Sequence, residues 1–266
     1  MIAKKAMGAS IGRAGGAMMV ILAVVACAVP PPPEPTRDDI LQRILPATVQ
    51  VVVEQQEGRR VRSSSGVAVA SRATSGTTEC FILTSGHTVT GVQGHRQVYV
   101  FFGRHLGGGV GERASATVLA YRETNDLDLA IVRGNSDGCA PIRLGSPPRL
   151  GASVWVVGFP WGRHMTLASG VVSQINFQDA GNFESPARLM VDASVSYGAS
   201  GGGVFDARTG GLIGLVEGYR TARVTSHGTE PPWYIDVPEP GQTFVTSLAD
   251  IRRFLAETGY SRLVKD

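Results

Sequence analysis

The chain has 266 residues with a formal net charge of +3, and 18% of its residues are charged. The hydrophobic fraction of 43% permits a packed core and excludes general disorder. The small net charge and the lack of a basic stripe with interleaved aromatic residues argue against nucleic acid as a partner. The 34 glycines and 15 prolines instead predict many turns and short strands.

Residues 1–26 are predicted to be a signal peptide of the lipoprotein type rather than part of the fold. The basic residues Lys4, Lys5 and Arg13 precede an apolar run at 17–26, and small residues follow this run. The run is short for a membrane span. The layout therefore favours a secretory signal, with a membrane anchor helix as the alternative.

Cys27 ends the sequence VVAC, which resembles the lipobox of bacterial lipoproteins. In such signals the cysteine becomes the lipidated first residue after cleavage; ordinary cleavage after Ala28 is the competing interpretation. The proline-rich segment 27–37 predicts an extended linker, since PPPPEP cannot form helix or sheet. We therefore expect a protein of the bacterial cell envelope, lipid-anchored and facing the periplasm or exterior, with a soluble periplasmic or secreted protein as the alternative.

The body of the chain is predicted to be all-β. Short runs rich in Val, Ile, Phe and Tyr are separated by Gly, Pro, Asn and Asp, which is typical of strands. The runs lie at 48–54, 65–71, 80–85, 97–102, 115–122, 129–133, 153–159, 166–175, 187–193, 202–206 and 211–218. Their regular spacing favours a barrel or sandwich, and no helical pattern alternates with them as a parallel α/β sheet requires.

Two helices are predicted, one at each end of this region. Residues 36–45 place apolar side chains on one face, carry acids in the first turn and stop at Pro46. Residues 246–259 have Thr246 or Ser247 as the N-cap and a glycine at the end. Only seven residues follow that glycine, so we expect a tail at 260–266 and no second C-terminal domain.

Ser200 in the stretch GASGG is the candidate nucleophile. The string fits both the nucleophile elbow of α/β hydrolases and the serine turn of trypsin-type proteases, and alone it is weak evidence. The order of partners decides between them. The only histidine after Ser200 is His227, and the chain between them has no room for the strand–helix units of an α/β hydrolase. The aspartates before His87 lie only in the linker and the first helix, which argues against the order Asp, His, Ser. The order His, Asp, Ser is the one with suitable candidates.

His87 and Asp128 are the candidates for the first two positions. His87 follows the apolar strand FILTS, and an imidazole exchanges protons near neutral pH. Asp128 precedes the apolar run LAIV, where a partly buried carboxylate can hold the second ring N–H. Asp126 is the competitor, expected to be more solvated, and Asp192 is a structural candidate. The remaining histidines are interpreted as surface residues: His95, His105, His164 and His227.

Six motifs in order resemble the protease domain of the HtrA/Deg group of trypsin-type serine proteases: TSGHTV, DLDLAIV, VVGFPWG, SGVVSQI, GASGGGVFD and GGLIGL. The resemblance covers roughly residues 40–258. It implies a protease domain at 38–259 with two six-stranded antiparallel β-barrels, at about 47–145 and 150–246, and catalytic residues in the cleft between them. The group usually carries PDZ domains, whereas none is expected in this chain.

Carried onto the matching positions, the resemblance implies Ser200 as the nucleophile, His87 as the general base and acid, and Asp128 as the orienting acid. The backbone N–H groups of Gly198 and Ser200 would form the oxyanion hole. Ala199 departs from the Asn that the group usually carries there. The hole uses backbone donors, so alanine is expected to be tolerated with the loss of a side-chain brace.

Ser194 would lie at the base of the S1 pocket by the same resemblance. It is neutral, which predicts small or medium apolar P1 residues, although Glu217 on the following strand weakens this inference. Cys80 and Cys139 are left as an even pair; a disulfide and two buried free thiols are equal alternatives. No spacing suggests a zinc site, and no cofactor or metal is expected.

These observations predict an exported serine endopeptidase that acts on unfolded or envelope proteins. The alternatives are a protease-fold binding or chaperone-like lipoprotein with little activity, and a β-rich structural lipoprotein. The expected partners are polypeptide substrates and the membrane, reached through the lipid anchor. The sequence does not support any particular oligomer.

Overall fold

The computed structural model of the protein describes residues 34–55, 58–92, 95–103, 111–177, 188–226, 228, 231 and 233–264. The predicted signal peptide, Cys27 and most of the predicted linker lie outside these residues, as do His105 and His227. The boundaries assigned to the signal peptide and linker therefore stay predictions. In the described ranges, no helix combines the length and the apolar character needed to cross a membrane.

The first barrel closes on itself because its last strand in space pairs back onto its first. The order is β1-β2-β3-β6-β5-β4, every pair is antiparallel, and β4 pairs with β1. The strands are β1 (Thr48–Gln55), β2 (Arg60–Thr74), β3 (Thr77–Thr84), β4 (Arg96–Phe102), β5 (Glu112–Thr124) and β6 (Leu127–Asn135). Valine-rich strands such as β1 supply alternate side chains to a dry interior.

The second barrel repeats this architecture with the order β10-β11-β12-β9-β8-β7, closed by pairing between β7 and β10. Its strands are β7 (Ser153–Gly158), β8 (Thr166–Phe177), β9 (Arg188–Val191), β10 (Gly203–Asp206), β11 (Leu212–Thr225) and β12 (Tyr234–Ser247). The prediction of two six-stranded antiparallel barrels with a C-terminal helix is therefore confirmed.

The described residues form three α-helices beside the barrels: α1 (Arg37–Ala47), α2 (Gly86–Val89) and α3 (Leu248–Glu257). Helix α1 ends one residue past Pro46, which the sequence predicts as its stop; assigned helix ends commonly differ by one or two residues. Ser247 caps α3 by accepting the Asp250 N–H. The one-turn helix α2 was not predicted.

The largest apolar cluster lies between the two barrels. It joins Phe81 and Leu129 of the first barrel to Phe205 and Leu215 of the second, and the buried faces of α1 and α3 cover it. Burial on this scale fixes the two barrels against each other, because each large apolar side chain removed from water stabilises the packing by about 1.5–3 kcal/mol. The cleft between the barrels is thus held by a rigid base.

Cys80 on β3 and Cys139, just after β6, are joined by a disulfide in the structure, with their Cα atoms 5.7 Å apart. The bond closes a loop with a sequence separation of 59 residues, which spans three strands of the first barrel. It therefore restricts the unfolded chain substantially.

Replacing both cysteines (Cys80→Ala with Cys139→Ala) is expected to lower the free energy of unfolding by about 2–4 kcal/mol. Urea denaturation of the mature domain, oxidised and reduced, measures this. Reduction of the wild type should reproduce most of the loss, and it should leave the double variant unaffected. Equal stability of the oxidised and reduced wild type would show that the bond does not form in solution.

Candidate active site

The strand register of the first barrel brings His87 next to Asp128. Strands β3 and β6 are antiparallel neighbours, and Thr84 at the end of β3 pairs with Ala130. The chain turns into α2 directly after β3 and places His87 beside the first residues of β6. Two segments separated by 41 residues are thereby forced into contact.

The carboxylate of Asp128 holds His87 at two points. Its Oδ1 accepts the backbone N–H of His87 at 2.7 Å, and its Oδ2 lies 2.6 Å from the ring Nδ1. The Asp128 side chain is 12% exposed, whereas the His87 side chain is 40% exposed. The carboxylate is therefore fixed inside the fold, whereas the imidazole, held through Nδ1, is partly open to the cleft.

Gly86 permits this approach. A Cβ atom at position 86 would overlap the carbonyl oxygen of Arg122 and would lie 3.0 Å from Oδ1 of Asp128. Any other residue would push α2 away from β5 and β6. The glycine before His87 is thus required by the close packing around the carboxylate.

The pKa of His87 is raised, chiefly because of its hydrogen bond to Asp128. Burial of the ring opposes this rise, and the nearby charge of Arg62 also lowers the pKa, while Glu123 raises it. The protonated imidazole is therefore stabilised in the fold. That is what a base needs if it is to carry a proton between two steps of a reaction.

Ser200 lies in the turn that leads into β10, on the second barrel. Its backbone carbonyl accepts the N–H of Ser65 at 2.9 Å, so the turn is attached to the first barrel. Its Oγ donates to the backbone carbonyl of Glu217 at 3.2 Å. Among the described residues, no hydrogen bond joins Ser200 to His87.

The peptide between Tyr197 and Gly198 is held in one orientation. The Tyr197 carbonyl accepts the N–H of Trp161, and a trans peptide places its N–H on the opposite side from its carbonyl. Gly198 has φ of +87°, a conformation that favours glycine. Within the described ranges, the N–H groups of Gly198 and Ser200 donate to no protein acceptor. Two backbone donors are therefore left unpaired on either side of Ala199.

Ser65 braces this turn in place of a side chain at position 199. Its Oγ donates to the Gly198 carbonyl at 2.8 Å and accepts the Phe159 N–H at 2.8 Å. Ala199 itself is buried in the apolar interior of the second barrel. The predicted loss of a side-chain brace at Ala199 is thus accompanied by a brace from the other barrel, which sequence reasoning missed because Ser65 lies inside the ordinary strand pattern SGVAVAS.

The other predicted residues lie apart from His87. Ser194 lines a cavity of about 200 Å³ beside the serine turn, with Val156, Ala168 and Ala199 among the other lining residues. Its place in an S1 pocket stays a prediction. Asp126 pairs with Arg253 of α3 at 3.3 Å and is half-exposed.

Asp192 has a structural role, since its Oδ1 accepts the Val171 N–H at 2.6 Å. His95 and His164 lie on the surface. In the part of the chain that the structure describes, no three His, Cys, Asp or Glu side chains gather as metal ligands would.

Two antiparallel β-barrels, with an Asp–His pair on one and a glycine-rich serine turn on the other, define the class of the trypsin-type proteases. The chain belongs to the trypsin-like peptidase domain family, whose model matches residues 64–215, more than half of its length. The resemblance to the HtrA/Deg group is likewise confirmed by the relatives found.

Serine protease PepD of Mycobacterium tuberculosis is 27% identical over 173 residues, which are 62% of this chain and 35% of PepD. Putative protease Do-like 12, mitochondrial, of Arabidopsis thaliana is 33% identical over 149 residues, 53% of this chain and 26% of that protein. The solved HtrA-type protease AlgW with tripeptide shares the fold, with a TM-score of 0.62 at 19% identity over 86% of this chain and 64% of that one. The chain thus spans about a third of the length of PepD and about a quarter of Do-like 12.

Replacing Asp128 with Asn is expected to lower the pKa of His87, because the amide cannot stabilise the imidazolium as the carboxylate does. NMR titration of the His87 Hε1 resonance measures this, with Asp126→Asn as the matched control that should leave the pKa unchanged. The wild-type pKa lies above the unfolded value of 6.5. The pair's contribution to stability is therefore complete below pH about 6.5 and is lost as the pH rises through the folded-state pKa. Equal titration of the two variants would contradict the assigned pairing.

Proposed function

We propose that this protein is a serine endopeptidase that hydrolyses peptide bonds through an acyl-enzyme on Ser200. The observation that carries the proposal is the two-point attachment of His87 to Asp128, at 2.7 and 2.6 Å, with the serine turn of the second barrel across the cleft. Membership of the trypsin-like peptidase family supports the same conclusion.

The geometry suggests how each group acts. His87 Nε2 accepts the proton of Ser200 Oγ as the oxygen attacks the scissile carbonyl carbon, and Asp128 stabilises the resulting imidazolium. The N–H groups of Gly198 and Ser200 donate to the negative oxygen, each contributing about 2.7–4 kcal/mol. His87 then gives the proton to the leaving amine, and the peptide C–N bond breaks. Water, deprotonated by His87, releases the acyl group and restores the serine.

We also propose that the P1 side chain is small or medium-sized and apolar. The cavity beside the serine turn is lined by Ser194 and mainly by apolar residues, without a charged group. Glu217 weakens this inference in the sequence, but its carboxylate is paired with Arg188 at 3.1 Å. Tyr197 and Tyr219 contact each other edge to face, with centroids 5.6 Å apart, next to the serine turn.

A second function, protease-fold binding with little activity, is favoured by one observation. The Ser200 hydroxyl donates to the Glu217 carbonyl instead of to His87. In such a protein the cleft would hold unfolded chains without cutting them, and the serine would not react.

A fluorophosphonate probe decides between the two functions. The wild-type domain is expected to be labelled, and Ser200→Ala is expected to lose labelling and to reduce kcat on an unfolded protein such as casein by a factor on the order of 10⁶. His87→Ala should give a similar loss. Ser75→Ala, at the exposed turn between β2 and β3, is the matched control and should behave as wild type. A wild-type protein that is never labelled would favour the binding function.

We propose further that the protease acts in the bacterial envelope, held to the membrane through lipid on Cys27. The VVAC sequence supports this, and a disulfide between Cys80 and Cys139 is in keeping with an oxidising compartment. In a bacterial host, Cys27→Ser is expected to move the protein from the membrane fraction to the soluble fraction. Ala28→Gly, which keeps the cysteine, should stay with the membrane. A soluble wild type would instead indicate ordinary cleavage.

A further inference from the structure

Glu217 is a second acidic residue near the cleft, and its backbone is hydrogen-bonded to Ser200. It lies on β11, and its backbone carbonyl accepts the hydrogen bond of Ser200 Oγ at 3.2 Å. Its side chain is only 21% exposed, and its Oε1 lies 3.1 Å from Nη2 of Arg188. The residue that contacts the nucleophile through its backbone is therefore also half of a partly buried ion pair.

Arg188 connects this ion pair to the other barrel. The same Nη2 donates to the backbone carbonyl of Asn125 at 3.2 Å, in the turn between β5 and β6, three residues before Asp128. The guanidinium also lies 5.3 Å from the ring centroid of Phe244 on β12. A single side chain at the start of β9 thus ties the strand behind Ser200 to the turn that presents Asp128.

The charges around this tie affect His87. Burial raises the pKa of Glu217, and the carboxylates of Asp128 and Asp250 raise it further, while Arg188 and His87 lower it. The charges of Asp128, Glu123 and Arg62 act on the pKa of His87, and the charge of His87 acts in turn on Glu217. Arg188 is the cation that compensates the additional acid.

We propose that Arg188 and Glu217 are positioning residues for the His87–Asp128–Ser200 group, a role that rests on the proposed peptidase function. Arg188 fixes the distance between the serine-bearing and the aspartate-bearing barrels through its contacts with Glu217 and Asn125. Its charge also prevents Glu217 from raising the pKa of His87 and so from keeping the base protonated at neutral pH. Neither residue touches the scissile bond.

Three variants separate the effect of the Arg188 contacts with Glu217 and Asn125 from the effect of its charge. Arg188→Gln removes both, so kcat should fall about tenfold and the acid limb of kcat/KM should move to higher pH. Glu217→Gln removes the additional acid, so the limb should move to lower pH. Arg188→Lys keeps the charge but cannot span two acceptors as the planar guanidinium does. The acid limb of kcat/KM should therefore stay at the wild-type pH in Arg188→Lys, whereas kcat should fall.

Arg223→Gln is the control, since Arg223 forms an exposed ion pair with Asp236 at 2.8 Å elsewhere on β11 and β12. It should leave kcat and the pH profile unchanged. The pKa of His87, read by NMR in each folded variant, tests the charge effect without any need for activity. If the protein does not hydrolyse peptides but that pKa rises in Arg188→Gln and falls in Glu217→Gln, the proposed function fails and the electrostatic coupling stands. Arg188 and Glu217 variants that shift neither the pKa nor kcat beyond the control would overturn the proposal.

Discussion

The candidate site depends on one partly buried interaction, in which the Asp128 carboxylate accepts hydrogen bonds from the backbone N–H and the ring of His87. The carboxylate is mostly removed from water, so its charge acts on the imidazole with little screening. Its position follows from the register of β3 and β6, and its closeness follows from the absence of a side chain at Gly86. Shifting that register by one residue would turn Asp128 to the other face of the sheet and leave the histidine without its partner.

The second barrel contributes mainly backbone groups, and the first barrel holds those groups in place. Ser65 makes three hydrogen bonds to the second barrel: its hydroxyl donates to the Gly198 carbonyl and accepts the Phe159 N–H, and its own N–H donates to the Ser200 carbonyl. Gln50, buried on β1, donates to the Gly162 carbonyl at 2.9 Å. Polar contacts of this kind add direction to an apolar interface that alone would allow sliding. The two barrels therefore form one site, and a substitution at Ser65 or Gln50 in the first barrel would alter the position of backbone groups in the second.

Much of this arrangement was predictable from the sequence, for identifiable reasons. Strand patterning predicted an all-β fold, and the resemblance to the HtrA/Deg group implied its two six-stranded barrels. The order of His87, Asp128 and Ser200 favoured the protease type over the hydrolase type. The same resemblance implied the donors at Gly198 and Ser200. These signals are local, because each one follows from a short run of residues and its neighbours.

The contacts that were missed are long-range. Ser65 and Gly198 are separated by 133 residues, and Arg188 and Asn125 by 63. No periodicity marks such pairs, since strand register and barrel closure bring them together only after folding. The one-turn helix α2 was also missed, because four residues are too few to show a helical pattern. The sequence also left the pairing of Cys80 with Cys139 undecided, because the spacing of two cysteines does not determine the geometry between them.

The most direct test of this account is a burst experiment with a p-nitrophenyl ester of a small N-acylated amino acid, followed by mass spectrometry of the trapped protein. The account predicts release of about one nitrophenolate per chain in the fast phase, and an acyl group on the peptide that contains Ser200. Slow release without a burst, or an acyl group on a different residue, would contradict the claim that His87 and Asp128 activate this serine.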